Sequence, residues 1–321
     1  MKKNLMLLAC AAALTSLPVQ AQTATASASW ITLPEANPIA TPDRVKVKNF
    51  LPEMTWKEVE DLLTRTDMVI VPIGAIEQHG PQGPLGTDYL NGTEVAKLAA
   101  QYTDVLVAPI LNVGQSPYHL AFPGTVSLSS ETIQAVYVEA IKSLIGQGFK
   151  RFLILNSHGG NRATTKFIVD RINQETPGIA VDLGEASQPY MKPNKSKAPK
   201  PFDRHGGVRE TSRTMYLHPE LVDLAASKQT KLHMPDHLTA LIPDIEAGDP
   251  TANLIFLVEA LKAKSTGKGT AADEMTDTGV WSELDPATAT AEAGRLDIEV
   301  TLNAIVQFID RWKELRPIGS K

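Results

Sequence analysis

Cysteine is nearly absent from the 321-residue chain, and the only one, Cys10, lies in a segment that we expect to be removed. Two lysines open that segment, an apolar run follows over residues 5–14, and Val19-Gln20-Ala21 ends it with small residues at the cleavage position. This order is typical of a secretory signal peptide, which we place at residues 1–21. The mature protein would then have no disulfide and no thiolate ligand, so nitrogen and oxygen must hold any metal. Export without disulfides indicates a bacterial periplasm.

Long apolar stretches and clusters of positive charge are also missing after residue 21. No later stretch is apolar for long enough to span a bilayer, so we expect no membrane association after cleavage. The formal net charge is −5, and removal of the two lysines of the signal peptide takes it to −7. A mildly acidic chain without basic runs argues against nucleic acid as a partner.

Internal repeats and linkers between domains are absent as well, apart from one polar lead-in. Residues 22–45 are rich in alanine, serine, threonine and proline, and we predict that this segment is flexible. The chain as a whole is 43% hydrophobic, which provides ample material for a core. We therefore assign residues 46–321 to a single domain.

Short apolar runs separated by amphipathic helices dominate that domain. The runs that predict strands are residues 68–73, 105–110, 152–155 and 179–183. Strands that are apolar throughout are typical of a parallel sheet with both faces covered. The predicted fold is α/β, a three-layer α/β/α arrangement with a central, mostly parallel sheet. Residues 187–204 predict a long polar loop, and residues 228–269 have no clear assignment.

Metal-capable side chains follow the first predicted strand directly. Glu77 and His79 are two residues apart, so they point to the same side of an extended segment. Several glycines and prolines then precede Asp88, and a bend there would return its carboxylate to the first pair. Two carboxylates and one imidazole do not close a metal site, so a polar surface loop explains this stretch equally well on its own.

Three further candidates lie beside glycine-rich turns. His158 follows the third strand, and His205 and Glu210 flank the start of a predicted helix. Taken singly, a histidine is more often a structural residue, and Glu210 could simply complement the helix dipole. In an open α/β sheet, however, ligands bind beyond the carboxyl ends of the strands, where these residues are expected.

The six candidates together form a ligand set suited to two neighbouring divalent ions with a bridging carboxylate. Such a pair lowers the pKa of a bridging water molecule and supplies hydroxide at neutral pH, the nucleophile of a hydrolase. A histidine left over from the ligand set can then move a proton to the leaving nitrogen.

Three motifs in the same order resemble the creatininase family of metal-dependent amidohydrolases. They are PIGAIEQHGPQGPLGTD at residues 72–88, NSHGGN at 156–161 and HGGVRETS at 205–212. A weaker match, TGVWSELDPATATAEAG, begins at Thr278, and the resemblance extends over roughly residues 50–309. It implies an α/β fold around a parallel sheet, two divalent ions per chain (Zn, Mn or Fe) and often a hexamer, so we expect a homo-oligomer.

The resemblance also implies individual roles. Glu77 and His158 would hold one metal ion and His79 the other, with Asp88 as the bridge between them. His205 matches the histidine that carries a proton in the family. These assignments rest on the matching motif positions in this chain.

One position departs from the pattern of creatininase itself. Creatininase has a glutamate ligand for the second metal two residues after the histidine of the NSHGGN-type motif, and Gly160 stands there in this chain. Glu210 is our candidate for the missing carboxylate, with a second role in catalysis beside His205.

The loops suggest where a substrate would bind. Ser116, Tyr118 and His119 in one loop, and Tyr190 in another, are candidate substrate-binding residues. No tryptophan lies within residues 187–204, where enzymes acting on creatinine have them, which argues against creatinine as the substrate.

The predicted function is hydrolysis of a C–N bond in a small cyclic amide. Alternatives are a metallopeptidase that trims a short peptide, a lactonase, and a periplasmic protein that uses a metal to bind a ligand without turnover.

Overall fold

The computed structural model describes residues 30–40, 46–191, 200–260 and 272–320. The predicted signal peptide, residues 1–21, lies outside the described residues, as do parts of the predicted loop at 187–204 and of 228–269. From Ile31 onwards the chain belongs to one compact unit. Within the described ranges, no helix combines the length and the apolar character needed to cross a membrane.

A four-stranded sheet forms the centre of the fold. Its strands are adjacent in the order β2-β1-β3-β4, and each neighbouring pair is parallel. They are β1 (Met68–Ile73), β2 (Leu106–Val107), β3 (Arg151–Asn156) and β4 (Ile179–Asp182). Each of the four predicted runs therefore contains a strand, although β2 is much shorter than the run at 105–110.

Helices connect these strands and continue after the sheet. They are α1 (Trp56–Leu62), α2 (Thr87–Thr103), α3 (Ser130–Gln147), α4 (Arg162–Glu175), α5 (Leu183–Ser187), α6 (Val208–Leu217), α7 (Asp236–Thr239), α8 (Ile242–Ala247), α9 (Pro250–Ala260), α10 (Ala272–Met275) and α11 (Ala291–Leu315). A separate antiparallel pair consists of β5 (Asp203–His205) and β6 (Trp281–Ser282).

The two faces of the sheet carry separate cores, because successive residues of a strand point to opposite sides. Met68 and Ile70 of β1 pack with apolar residues of α2 and α11, whereas Val69 and Val71 pack with those of α3 and α4. Helices thus cover both faces, and the predicted three-layer α/β/α fold is confirmed.

Asp88 lies in a different local structure from the one expected. The predicted bend does return Asp88 to His79, but Asp88 lies in the first turn of α2, which begins at Thr87, rather than in a loop. Gly86 ends the loop as the residue before the helix, and Leu90 N–H donates to its carbonyl at 2.8 Å. The helix therefore fixes the direction of the Asp88 carboxylate more firmly than a loop would.

The lead-in also differs from the prediction in its described part. Ile31 N–H donates to Asn303 Oδ1 at 2.8 Å, and Leu33 N–H donates to Glu299 Oε2 at 3.0 Å. The side chain of Leu33 is buried in the core that contains α2 and α11. Residues 31–33 are therefore held against α11 rather than flexible, because one buried leucine and paired backbone groups anchor them.

The part of 228–269 that is described forms α7, α8 and α9. Their apolar residues build a third cluster with Phe202, Trp281 and Tyr118. The pairing of His205 with Trp281 across β5 and β6 attaches this cluster to the carboxyl end of the main sheet.

Candidate metal centre

Four predicted ligands converge beyond the carboxyl ends of two adjacent strands. Glu77 and His79 follow β1, His158 follows β3, and Asp88 reaches the same place from α2. All four are at most 5% exposed. Ionisable groups are rarely buried together unless they are paired or bind a cation, so this convergence itself indicates a built site.

The hydrogen bonds of His158 assign its tautomer. Nε2–H donates to the backbone carbonyl of Gln115 at 3.0 Å, which leaves Nδ1 as the free nitrogen. Nδ1 lies 3.1 Å from Asp88 Oδ2 and 3.4 Å from Glu77 Oε1. A backbone carbonyl that holds one ring nitrogen and so orients the other is the usual second partner of a metal-binding histidine.

His79 is arranged in the same way. Nδ1–H donates to the carbonyl of Glu77 at 3.0 Å, and the free Nε2 lies 3.5 Å from Asp88 Oδ1 and 3.7 Å from Glu210 Oε2. Two histidines therefore direct their second ring nitrogens at opposite oxygens of one carboxylate, that of Asp88.

The donor atoms fall into two groups that share Asp88. One consists of Glu77, Asp88 and His158, and the other of His79, Asp88 and Glu210; within each, the ligand atoms lie within 4.8 Å of one another. Glu77 Oε2, His79 Nε2 and Asp88 Oδ2 are buried without a hydrogen-bond partner. Lone pairs that face one another in this way repel unless positive charge lies between them, so the nitrogen and oxygen donors of both groups could hold metal ions.

Without a metal ion, the ionisable side chains of the centre bind protons instead. Burial opposes protonation of His79 and His158, but the surrounding carboxylates outweigh it and raise their pKa values to about 10 and about 9. Burial also raises the pKa of Glu77 to about 7. For Asp88, the two histidines overcome burial and hold its pKa well below the usual range. The centre is thus a strong attractor of positive charge.

His205 lies against both groups. Its Nε2–H donates to the carbonyl of Gln78 at 2.6 Å, and Nδ1 is 3.6 Å from Glu77 Oε1 and 4.0 Å from Glu210 Oε2. Burial lowers the pKa of His205 well below 6.5, and His79 adds to this effect. Glu77, His79 and His205 form a third group that could hold a metal, so the geometry permits His205 as a ligand or as a proton carrier.

Close packing explains why position 160 is a glycine, which the sequence alone did not reveal. A Cβ built there would lie 2.3 Å from Gln115 O, 2.4 Å from His158 Nε2 and 2.5 Å from Tyr118 Oη. The expected compensating carboxylate, Glu210, is present on the side of His79, where its Oε2 accepts Gly206 N–H at 2.7 Å. Its side chain remains 32% exposed, so solvent or substrate can reach it.

Three of the four predicted substrate-binding residues lie beside the centre. Ser116 Oγ and Tyr118 Oη are each 3.4 Å from His158 Nε2, and His119 Nε2 is 3.7 Å from Glu77 Oε1. Tyr190 lies apart from them, with its ring packed edge-on against Phe308. The structure therefore does not bring Tyr190 together with the other candidates.

Sequence reasoning missed two neighbours of the centre. The amide of Gln78 donates to Gly279 O and to His119 Nδ1, both at 2.9 Å, and so fixes the His119 ring. The ring of Trp281 packs at a tilt against those of His119 and His205, with centroid distances of 5.3 and 5.7 Å. A tryptophan therefore does reach the site, although none lies within 187–204. The position of Trp281 inside the weaker motif at 278–294 could have indicated from the sequence that it lies near the site.

This is an α/β protein with a buried carboxylate–histidine centre at the carboxyl end of a parallel sheet. It belongs to the creatininase family, since the sequence profile for creatininase (creatinine amidohydrolase) matches residues 52–309. The predicted family, and with it a hydrolase of the amidohydrolase class, is confirmed.

Individual relatives are similar at low identity. Creatinine amidohydrolase of Pseudomonas putida is 29% identical over 280 residues, which cover 81% of this chain and 95% of that protein. The mycofactocin precursor peptide peptidase of Mycolicibacterium smegmatis is 29% identical over 77% of this chain and 85% of its own length. 3-Dehydro-scyllo-inosose hydrolase of Thermotoga maritima is 30% identical over 57% of this chain and 61% of its length.

Solved creatininase structures share the fold. One creatinine amidohydrolase (creatininase) superposes with a TM-score of 0.60 at 24% identity, covering 84% of this chain and 98% of the other. A creatininase variant described as Zn–Zn type gives 0.59 at 23% identity, covering 84% and 99%. A structure described as creatininase Mn gives 0.55 at 24% identity, with the same coverage.

Proposed function

We propose that this hydrolase uses two divalent cations (Zn, Mn or Fe) to cleave the C–N bond of a small cyclic amide. The carboxylate of Asp88 carries the proposal, because its two oxygens face two different ligand groups. Glu77 and His158 complete the first group, and His79 and Glu210 complete the second. The zinc and manganese forms of solved creatininases support the choice of metal.

Bound cations would supply hydroxide at neutral pH by lowering the pKa of a water molecule. Protein side chains would carry out the proton transfer. His205 is held by its Nε2–H on Gln78 O, and its lowered pKa keeps Nδ1 unprotonated at neutral pH. Nδ1 can therefore accept a proton and return it to the leaving nitrogen. Glu210, whose Oε2 lies 4.0 Å away, would stabilise the imidazolium that forms between these transfers.

Metal analysis of variants tests these roles. We expect elemental analysis of the purified protein to find about two transition-metal ions per chain, as the ligand set requires. Asp88→Ala should lose metal because both groups share that side chain. His205→Ala should keep its metal and lose turnover. His237→Ala, which removes an exposed histidine paired with Glu259, is the matched control and should change neither quantity.

Each result separates one assignment from another. Absence of transition metal after growth with added metal would refute the metal centre. Loss of one ion in His205→Ala would make His205 a ligand of the third group, and full activity of that variant would remove its role in proton transfer.

Turnover should be sought with a panel of lactams, cyclic ureas, hydantoins, lactones and short peptides. The preferred outcome is hydrolysis of a cyclic amide. Trimming of a short peptide is the second candidate, favoured by the similarity to mycofactocin precursor peptide peptidases. Hydrolysis of lactones alone would replace the amidohydrolase proposal by a lactonase. Binding without turnover throughout the panel would favour the metal-dependent binding protein.

The proposal extends to location and assembly. The lysines, apolar run and small residues of 1–21 support export to the periplasm, and osmotic-shock fractionation with and without residues 1–21 tests it. Membership of the creatininase family supports a homo-oligomer, and we propose a hexamer. Sedimentation equilibrium of the metal-loaded protein should return the hexamer mass, and a monomer mass would contradict it.

A further inference from the structure

A cavity of about 150 Å³ opens directly beside the candidate metal centre. One part of its wall is formed by Glu77, Asp88, His158, His205 and Glu210. Aromatic and aliphatic side chains form a second part, namely Tyr118, Trp281, and Phe256 and Leu257 from α9. Such a cavity suits a small molecule whose reactive bond lies at the metal centre and whose body lies on the apolar wall.

Two arginines complete the wall. Arg162 is the first residue of α4, directly after the NSHGGN motif, and Arg204 precedes His205 on β5. The guanidinium of Arg204 lies 5.7 Å from the ring centroid of Phe202, so the apolar cluster holds it in place. Both arginines therefore line the same small cavity as the candidate metal ligands.

These arginines differ from others on the same side of the molecule. Arg209 and Arg213 both form ion pairs with Asp297, at 3.1 and 2.7 Å. No carboxylate of the described residues lies within 4.0 Å of the guanidinium group of Arg162 or Arg204. Two guanidinium groups that line one cavity and form no ion pair with the described residues, one of them half-buried, form a site for an anion.

The charge of the filled centre strengthens this argument. Two divalent cations would add four positive charges, which the carboxylates of Glu77, Asp88 and Glu210 and one bound hydroxide would balance, with no negative charge left over. The ligands cannot therefore neutralise the arginines as well. An anionic group on the substrate would balance the positive cavity and would be attracted to it from solution.

We propose that Arg162 and Arg204 bind a carboxylate of the substrate, so that the enzyme acts on amides that carry a carboxylate close to the scissile C–N bond. The class includes lactams with a ring carboxylate and acyl amino acids or short peptides with a free carboxyl end. This inference rests on the proposed function, since it places the carboxylate relative to the amide that the metal centre would cleave.

Paired probes test the carboxylate requirement. Calorimetric titrations of the metal-loaded protein would compare 5-oxoproline with 5-oxoprolinamide, and several N-acetyl amino acids with their amides. At least one acid should bind about tenfold or more tightly than its neutral amide, because a guanidinium–carboxylate contact is lost in the amide. Arg162→Gln and Arg204→Gln should each reduce that preference about tenfold. Arg171→Gln, an exposed residue of α4 paired with Glu175, should preserve it.

The outcomes separate this inference from the proposed function. Equal binding of every acid and its amide overturns the carboxylate site. An acid preference that survives both arginine substitutions also overturns it, because the carboxylate would then be bound by the cations. If neutral amides are hydrolysed by a two-metal enzyme without any acid preference, the proposed function stands and this inference fails. If the acids bind through the arginines to a protein that holds no metal and cleaves nothing, the proposed function fails and the anion site stands.

Discussion

At the scale of single residues, the centre depends on its ligand side chains and equally on the backbone carbonyls that orient them. His79, His158 and His205 each donate one ring N–H to a backbone carbonyl and direct the other nitrogen at carboxylates. The carbonyls that hold His79 and His205 belong to Glu77 and Gln78 of the first motif, and the carbonyl that holds His158 belongs to Gln115 in the loop after β2. Gly160 contributes by leaving room for Tyr118 against His158.

Substitution of Gly160 should show this packing role directly. In Gly160→Ala the new methyl group overlaps Gln115 O and His158 Nε2, so we expect a loss of roughly 1–3 kcal/mol in stability and weaker metal binding. Gly159→Ala is the matched control, because a Cβ there meets nothing within 4 Å. Urea unfolding and competition with a metal chelator would measure the two effects. Equal behaviour of both variants would show that the crowding at position 160 is relieved without cost.

Gly160→Glu tests whether the lack of space at position 160 outweighs the gain of an additional carboxylate ligand. Because the backbone has no room for a Cβ, we expect that restoring the glutamate of creatininase lowers metal content rather than raising it. A variant with full stability and tighter metal binding would instead show that the second ion lacks a carboxylate in the natural chain.

At the scale of elements, the sequence predicted the strands whose apolar pattern is local. The run at 68–73 coincides with β1, because a buried central strand is apolar at every position. The run at 105–110 contains only the two residues of β2, at the edge of the sheet, where Pro109 cannot donate a hydrogen bond. Contacts distant in sequence were beyond prediction: the pairing of His205 with Trp281 follows from tertiary packing, which no local pattern encodes.

A buried ion pair joins two of these elements. Arg151 opens β3 and is 2% exposed; its Nε donates to Asp67 Oδ1 at 2.7 Å, and its Nη1 donates to Arg316 O at 2.8 Å, just after α11. The pair thus ties the amino end of the strand to the carboxyl end of the last helix.

Asp67→Ala should be strongly destabilising, because it leaves a buried guanidinium without its carboxylate. We expect a loss of about 3–5 kcal/mol in the free energy of unfolding. Glu314→Ala is the control, since it removes a solvent-exposed pair with Arg311 and should cost less than about 1 kcal/mol. Urea denaturation at pH 7 would compare them, and similar small losses would mean that water solvates Arg151 in the variant.

At the scale of the whole molecule, folding, protons and cations are linked through the same buried centre. In the absence of metal, His79 and His158 bind protons more tightly in the folded chain than in the unfolded one, where a histidine has a pKa of about 6.5. That stabilisation is fully present below about pH 6.5 and is lost as pH rises through the folded values of about 9 and about 10. The raised pKa of Glu77 acts in the same direction at lower pH, between its ordinary value and about 7.

The chelated protein should therefore become less stable between pH 7 and pH 10, and the metal-loaded protein should not show the same decline over that range. Bound cations replace the protons of His79 and His158, so nothing is left for alkaline pH to remove there. Thermal unfolding across this range, with and without chelator, measures the difference. Metal binding at pH 7 should also release protons, and the release should shrink towards pH 10, as calorimetry in buffers of different ionisation enthalpy would show. Parallel unfolding curves, with no proton release, would mean that the histidines are neutral before the metal arrives.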